Sequence, residues 1–372
     1  MRARLGSRGV IARVSLQRFR LRLRAPLATA HGVITDRAGV LLALEDHAGT
    51  RGYGEAMPLA GWPGGTLAEV EAWLASRASE LLGKRAHEAL ARTLVGPPLA
   101  RAALETALLD LAARARGVPL AATLAMRTPE PAVPVNGLIA AEAPLAVARA
   151  ARALAGEGFR CFKLKVGTRP LAEDIARVAA LRTAIGSGAA LRLDANGAWS
   201  EEEAVAALAA VAAYAPEYVE EPAAGALACA RVRARSAVPI ALDESACDDA
   251  ALELALKLAA ADVLVIKPAL LGGPRAARAA ALRARDAGID VVVTSFLDSA
   301  IGVAAALHCA ATLVPNDRAC GLASGALFER DLAALRIENG ALRLPPEHGL
   351  GLAPEPSALV ACAEGPSWEA RA

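Results

Sequence analysis

The chain follows two hydrophobic grammars. From Arg18 to Arg24 it reads Arg-Phe-Arg-Leu-Arg-Leu-Arg, a period of two that predicts a half-buried strand with its arginines in water. Short runs at 39–44 and 52–55, joined across Asp46-His-Ala-Gly-Thr50, extend this to a three-stranded antiparallel meander over 16–56. Helical spacing follows at 66–82, 85–93 and 98–116, the last two parted by Gly96-Pro97-Pro98. This half reads as a strand-then-helix α+β module.

From about residue 131 short β-branched runs alternate with Ala-rich helical stretches. Strands are predicted at 132–139, 160–166, 190–195, 217–221, 239–244, 262–267, 290–296 and 319–323, with a helix between each pair. That is an α/β fold, a (β/α)7β modified TIM barrel one helix short of the usual count. Val263-Leu-Val-Ile266 and Val291-Val-Val293 suit strands buried on both faces. After residue 325 a helix over 326–335, a hairpin at Glu338-Asn-Gly340 and a Pro/Gly-rich tail are expected. The expected division is an α+β capping domain at 1–128, the barrel at 129–325, and a segment at 326–372 that returns to the cap over the barrel mouth.

Composition adds little to this picture. Of 372 residues 55% are hydrophobic but only 3% aromatic, so the interior is built of Ala, Leu and Val. A net charge of +2 gives no case for a nucleic-acid or membrane partner. Arg2, Arg4, Arg8 and Arg13 could form a basic arm, but the alternating run beside them favours a strand. Six cysteines without a C-x-x-C pair read as small buried hydrophobes in a reducing compartment. No signal-like segment and no charge-free apolar run of membrane length is seen, so a cytoplasmic protein is expected. Nothing in the chain specifies its oligomeric state.

Three carboxylates end three consecutive apolar runs: Asp194 in LRLDAN, Glu220 in YVEEP and Asp243 in IALDES, 26 and 23 residues apart. Each alone reads as a helix cap. Delivered by successive parallel strands to one end of a barrel, they become three hard oxygen ligands for Mg²⁺, with Mn²⁺ as the alternative. Lys163 and Lys165 come one unit earlier and Lys267 one unit later. Two residues apart, Lys163 and Lys165 share the inward face, where each charge favours the other's free amine and one can lift a proton from carbon. Arg192 and Asn196, each two residues from Asp194, are candidates to orient it from behind; Arg192 reads equally as a rim salt bridge.

The pieces FKLKVG, RLDANGAW, VEEP, LDES, VIKP and TSFLDSAIG, in this order, resemble the enolase superfamily, muconate-lactonizing subgroup, over nearly the whole chain. The resemblance implies that Asp194, Glu220 and Asp243 hold Mg²⁺, that Lys165 is the acid/base residue assisted by Lys163, and that Lys267 stabilises an enediolate from the other side. It implies a carboxylate substrate, contacts to it from Ser295, Asp298, Gly321 and Ser324, and loops at Ala28–Gly32 and Met57–Trp62 closing over it. His31, in the first loop, either contacts substrate or is merely exposed, and His308 reads as a packed core histidine. Within the subgroup the order of AHG, GYGEAMPL, VPVNGLI and CGLASGALFERDL points to a syn dehydration of a succinyl-hydroxycyclohexadiene carboxylate in menaquinone biosynthesis. Racemases and epimerases of the same scaffold remain open, although CGLASGA lacks the paired Asp of dipeptide epimerases. A non-catalytic binding barrel is the remote alternative.

Overall fold

The protein is described by a computed structural model over residues 9–29, 32–91, 95–313, 315 and 318–372, the side chains of 28 and 29 excepted. β1 (Ile11–Thr29), β2 (Gly32–Asp46) and β3 (Arg51–Ala56) form the expected antiparallel meander, and the last strand of the chain, Trp368–Arg371, pairs with the outer edge of β1. Arg18, Arg20, Arg22 and Arg24 are exposed while Phe19, Leu21 and Leu23 are buried. The Asp46 carboxylate closes the β2–β3 turn by accepting from the amides of Ala48 (2.8 Å) and Thr50 (2.9 Å). The helix Pro98–Arg116 lies directly on β3, because a Cβ at Gly52 or Gly54 would overlap the carbonyl oxygens of Ala107 and Ala103. A capping box of Thr66 and Glu69 starts the helix Leu67–Leu81.

The barrel differs from expectation at its seam. The predicted strand 132–139 is two strands, β4 (Ala132–Pro134) and β5 (Gly137–Ile139), and only β5 joins the seven-stranded parallel sheet. That sheet continues through β6 (Cys161–Lys165), β7 (Ala190–Asp194), β8 (Tyr218–Glu220), β9 (Ile240–Leu242), β10 (Val263–Ile266) and β11 (Asp290–Val293). The predicted eighth strand is reduced to two bridged residues, Cys320 with Val135 and Gly321 with Thr294. It still closes the cylinder: Cys320 N–H donates to Pro134 O (2.7 Å) and Gly321 N–H to Val293 O (2.8 Å). Helices lie between successive strands as the alternation predicts.

The helix expected at 326–335 is only a 3-10 turn, Ser324–Leu327. Beyond it, Phe328 bridges Leu23, Glu329 N–H donates to Arg22 O (2.9 Å), and Asp331 accepts from Ala300 N–H at the start of the helix Ala300–Ala310 (2.9 Å). Groups committed to neighbours in this way cannot also serve a helix. The hairpin forms, with Asn339 and Gly340 at φ 51° and 71°. Its second strand, however, pairs with β4 at the N-terminal end of the barrel, away from the mouth. Among the described residues all six cysteines are free thiols, five of them buried, and no helix is long and apolar enough to cross a membrane.

His308 is fully buried in the helix Ala300–Ala310. Its Nδ1 accepts from Ala121 N–H (3.1 Å), so the ring proton sits on Nε2, which donates to Leu350 O (3.1 Å). Burial pulls its pKa down to about 4. Below the ordinary histidine value the unfolded chain takes up a proton that the folded one refuses, so this contribution to stability is lost as the pH falls toward 4. The stability gap between wild type and His308→Gln, measured by urea unfolding, should narrow by roughly 3 kcal/mol between about pH 7 and about pH 4. A gap that stays constant would mean that the ring takes up its proton in the fold as readily as in the unfolded chain.

Candidate active site

Parallel register assembles the charged residues. Lys165, Asp194 and Glu220 face one another across β6, β7 and β8, with Lys163, Arg192 and Tyr218 in the row below. Asp243 follows β9 and Lys267 follows β10. Lys163, Lys165, Asp194, Glu220, Asp243 and Lys267 all line one cavity of about 280 Å³ at the carboxyl ends of the strands.

Each acid meets an ammonium. Lys163 Nζ lies 2.7 Å from both Asp194 Oδ2 and Glu220 Oε1, so those two oxygens are within twice that distance of each other. Lys165 Nζ lies 2.7 Å from Asp194 Oδ2 and from Asn196 Oδ1. Lys267 pairs with Asp243, and its Nζ sits 4.6 Å from the centre of the Trp62 ring. Burial alone would lower the pKa of Lys163, but Asp194 and Glu220 outweigh it and hold the ammonium well above its ordinary value. Burial would likewise protonate Asp194, but Lys163 and Lys165 keep it ionised. Glu220 is pushed up to about 7 by burial and by Asp194 beside it. Asp243 is raised by burial against the pull of Lys267.

Glu220 and Asp243 are therefore short of positive charge even with Lys163 and Lys267 beside them. Hard carboxylate oxygens in need of positive charge are the donor set that a divalent cation takes, and the residues present fit one. Among the described residues no three His, Cys, Asp or Glu side chains stand in a ready-made metal geometry. The reason is visible in the pairings, where each acid turns an oxygen onto an ammonium.

Of the other predicted residues, Asn196, Ser295, Gly321 and Ser324 line the cavity, and Ser295 Oγ and Ser324 Oγ are 2.8 Å apart. Arg192 is not brought there. It is fully buried below the acids, donates to Glu217 Oε2 (2.6 Å) and Ala319 O (2.7 Å), and stacks 4.8 Å from the Tyr218 ring centre. Asp298 does not line the cavity either; its carboxylate accepts from Phe296 N–H (2.8 Å) and fixes that loop. His31 lies outside the described residues. From the two expected loops, Gly32, Leu59, Ala60 and Trp62 line the cavity, joined by Leu27, Val33 and Ile34.

Several lining residues were not singled out from sequence, among them Asn136, Leu138, Tyr218 and Thr294. Tyr218 was within reach, since it precedes Glu220 by two and shares its inward face. Glu221 was missed as well: at φ 40° it turns away from the cavity to accept from the Asp243 amide (3.0 Å) and from Ser245 Oγ. Two buried groups join cap to barrel beside the site. Arg37 donates to Pro58 O (2.7 Å) and Phe296 O (3.1 Å), and Glu55 accepts from the amides of Ser299 (2.8 Å) and Gly302 (3.0 Å).

Residues 146–358, more than half of the chain, match the family described as Enolase C-terminal domain-like, and residues 12–124 match the Mandelate racemase / muconate lactonizing enzyme, N-terminal domain. The chain belongs to the enolase superfamily. Among curated relatives it is 43% identical over 205 residues to the o-succinylbenzoate synthase of Mycobacterium tuberculosis (strain ATCC 25618 / H37Rv), covering 54% of this chain and 60% of that protein. It is 42% identical over 204 residues to the o-succinylbenzoate synthase of Thermobifida fusca (strain YX), covering 54% and 62%. The chain thus spans about three fifths of the length of these relatives. Among solved structures, the N-succinyl Arg/Lys racemase from Bacillus cereus ATCC 14579 superposes with a TM-score of 0.89 at 26% identity, covering 97% of this chain and 100% of that one. The muconate lactonizing enzyme from Pseudomonas fluorescens superposes with a TM-score of 0.88 at 26% identity, covering 96% and 100%.

Replacing Lys163 by Met leaves Asp194 and Glu220 buried face to face without their shared cation. In metal-free buffer this should cost about 3 kcal/mol of unfolding free energy, the usual penalty for orphaning a buried charge. An unchanged urea midpoint would mean that the ammonium is not what reconciles the two acids.

Proposed function

We propose that the protein is an o-succinylbenzoate synthase, dehydrating 2-succinyl-6-hydroxy-2,4-cyclohexadiene-1-carboxylate to the aromatic acid, with residues 1–128 and 326–372, apart from the barrel-bound hairpin 337–343, as the cap of a 129–325 barrel. The observation that carries this reading is the charge layout, with Lys163 and Lys165 on one wall, Lys267 four strands around the barrel, and Asp194, Glu220 and Asp243 between them in one apolar-lidded cavity. The relatives named o-succinylbenzoate synthase support the choice of substrate.

Asp194, Glu220 and Asp243 would hold Mg²⁺, or Mn²⁺ in its place, which supplies a Lewis acid for the substrate carboxylate. Lys165, beside Lys163 on the inward face of β6, would serve as the base through its free amine. That amine takes the proton from the carbon bearing the carboxylate, and the C–H electron pair passes into the carboxylate as an enediolate. Lys267 offsets this negative charge from the other side. The Lys165 ammonium then returns its proton to the ring hydroxyl as the C–O bond breaks, so water leaves and the ring becomes aromatic. Both transfers lie on one face, and one base suffices. Lys267, already over an indole ring, offers the flat product the same cation–π contact. Ser295, Ser324 and the backbone at Gly321 supply polar contacts for the succinyl arm.

A second reading is racemisation of an N-succinyl amino acid, favoured by the position of Lys267 across the cavity from Lys165, where two opposed bases would serve. The similar racemase from Bacillus cereus supports it as an additional activity.

Lys165→Ala should retain the fold while turnover of the cyclohexadiene substrate falls by at least about 10³-fold, as for loss of an essential acid/base group. Near-normal turnover, followed by absorbance of the aromatic product, would remove Lys165 from the mechanism. Lys267→Ala should lose racemisation entirely and keep part of the dehydration; a variant that still racemises at the wild-type rate would contradict the opposed-base reading. Mg²⁺ should also raise the melting temperature of the wild type, and a flat titration would favour a non-catalytic barrel.

A further inference from the structure

Asn196 follows β7 with φ 46°, a left-handed conformation uncommon for a residue with a side chain. Its amide N–H donates to Asp194 Oδ1 (3.0 Å), and this holds the side chain between two charged groups from other strands. Oδ1 accepts from Lys165 Nζ (2.7 Å), and Nδ2 donates to Glu244 Oε1 (2.8 Å). Glu244 opens the turn Glu244–Ala246 after β9. Its second oxygen, Oε2, is buried and bonded to none of the described residues, so Asn196 is its anchor.

The two ends of an asparagine amide have nearly the same shape, and only their partners decide which way it faces. A lysine that has given up its proton can donate or accept, so Lys165 alone cannot decide it. A carboxylate can, because it accepts and never donates. We infer that Glu244 is a positioning residue for Lys165, acting through Asn196: by taking the NH₂ end it turns the carbonyl end of Asn196 toward the lysine. The inference rests on the proposed role of Lys165. A free Lys165 amine then donates one N–H to Asn196 Oδ1, and its lone pair stays available to the cavity. With the amide reversed, its NH₂ end would face the Lys165 ammonium donor to donor and displace it, or would occupy the lone pair of the free amine.

Glu244→Gln keeps the size of the side chain and removes its strict polarity, since Gln can donate or accept. Expected is a fall in kcat of about 10- to 100-fold, the usual effect of losing an orienting hydrogen bond behind a functional group, with KM and the Mg²⁺ dissociation constant unchanged. The double variant Asn196→Asp with Glu244→Gln restores the polarity, because one oxygen of the carboxylate introduced at position 196 faces Lys165 while the other accepts from the Gln amide. It should regain most of the lost kcat. Asn196→Asp alone sets two carboxylates against each other and should be at least as slow as Glu244→Gln. Acetic anhydride labelling of the metal-free protein, read by peptide mass spectrometry against exposed Lys257, needs no turnover. Lys165 should label faster in Glu244→Gln and return to the wild-type rate in the double variant. Wild-type kinetics in Glu244→Gln, a double variant no better than either single one, or weakened Mg²⁺ binding in Glu244→Gln would each overturn the inference. Should the wild type turn over none of the proposed substrates, the functional reading fails by itself and the labelling rates still decide this point.

Discussion

A charge cannot sit alone in the mouth of a protein barrel, and the rest of the site follows from that. Removing a carboxylate from water costs several kcal/mol unless a cation meets it. Asp194 and Glu220 are both fully buried, and they can stand in adjacent strands only because the Lys163 ammonium bridges them. Strand register sets this pairing: Lys165, Asp194 and Glu220 stand in one row, and Lys163 reaches up from the row beneath. A metal shared by the same acids would satisfy the same demand and release the lysines for chemistry.

The choice of cation carries information of its own. The chain has 41 basic residues but only five lysines, Lys84, Lys163, Lys165, Lys257 and Lys267, and three of the five line the cavity. A composition that uses arginine nearly everywhere keeps lysine where a proton must leave, because a guanidinium holds its proton throughout the accessible range. Arg192 makes the contrast within one row. Level with Lys163, it takes the opposite direction, to Glu217 and Ala319, and serves packing at the base of the barrel.

The strand-end carboxylates and lysines were legible because period and spacing bind them: two inward residues per pair, one βα unit per step. What was not legible depended on partners distant in the chain. The helix expected at 326–335 fails because Asp331 and Glu329 engage the helix at Ala300 and β1, and no local pattern announces that. The first barrel strand divides at Pro134 because β4 finds a hairpin about two hundred residues away. Asp298 looked like a substrate contact from its loop position, yet its oxygen is committed to Phe296 N–H. Asn196 was visible as a neighbour of Asp194, whereas its bond to Glu244 was not, since nothing in LDES tells which way the second acid turns. The cap contributes in the same long-range manner: Arg37 and Glu55 fasten both modules at the cavity rim, and the lid residues Leu59 and Trp62 follow directly on that seam.

The most direct measurement is calorimetric titration of Mg²⁺ into the wild type and into Asp194→Asn, Glu220→Gln and Asp243→Asn. Three donors to one ion predict tight binding by the wild type with one ion per chain, and a loss of at least about tenfold in affinity for each variant. A variant that binds Mg²⁺ as the wild type does would take that residue out of the set. Failure of the wild type to bind at all would contradict the convergence of the three strands on a single cation.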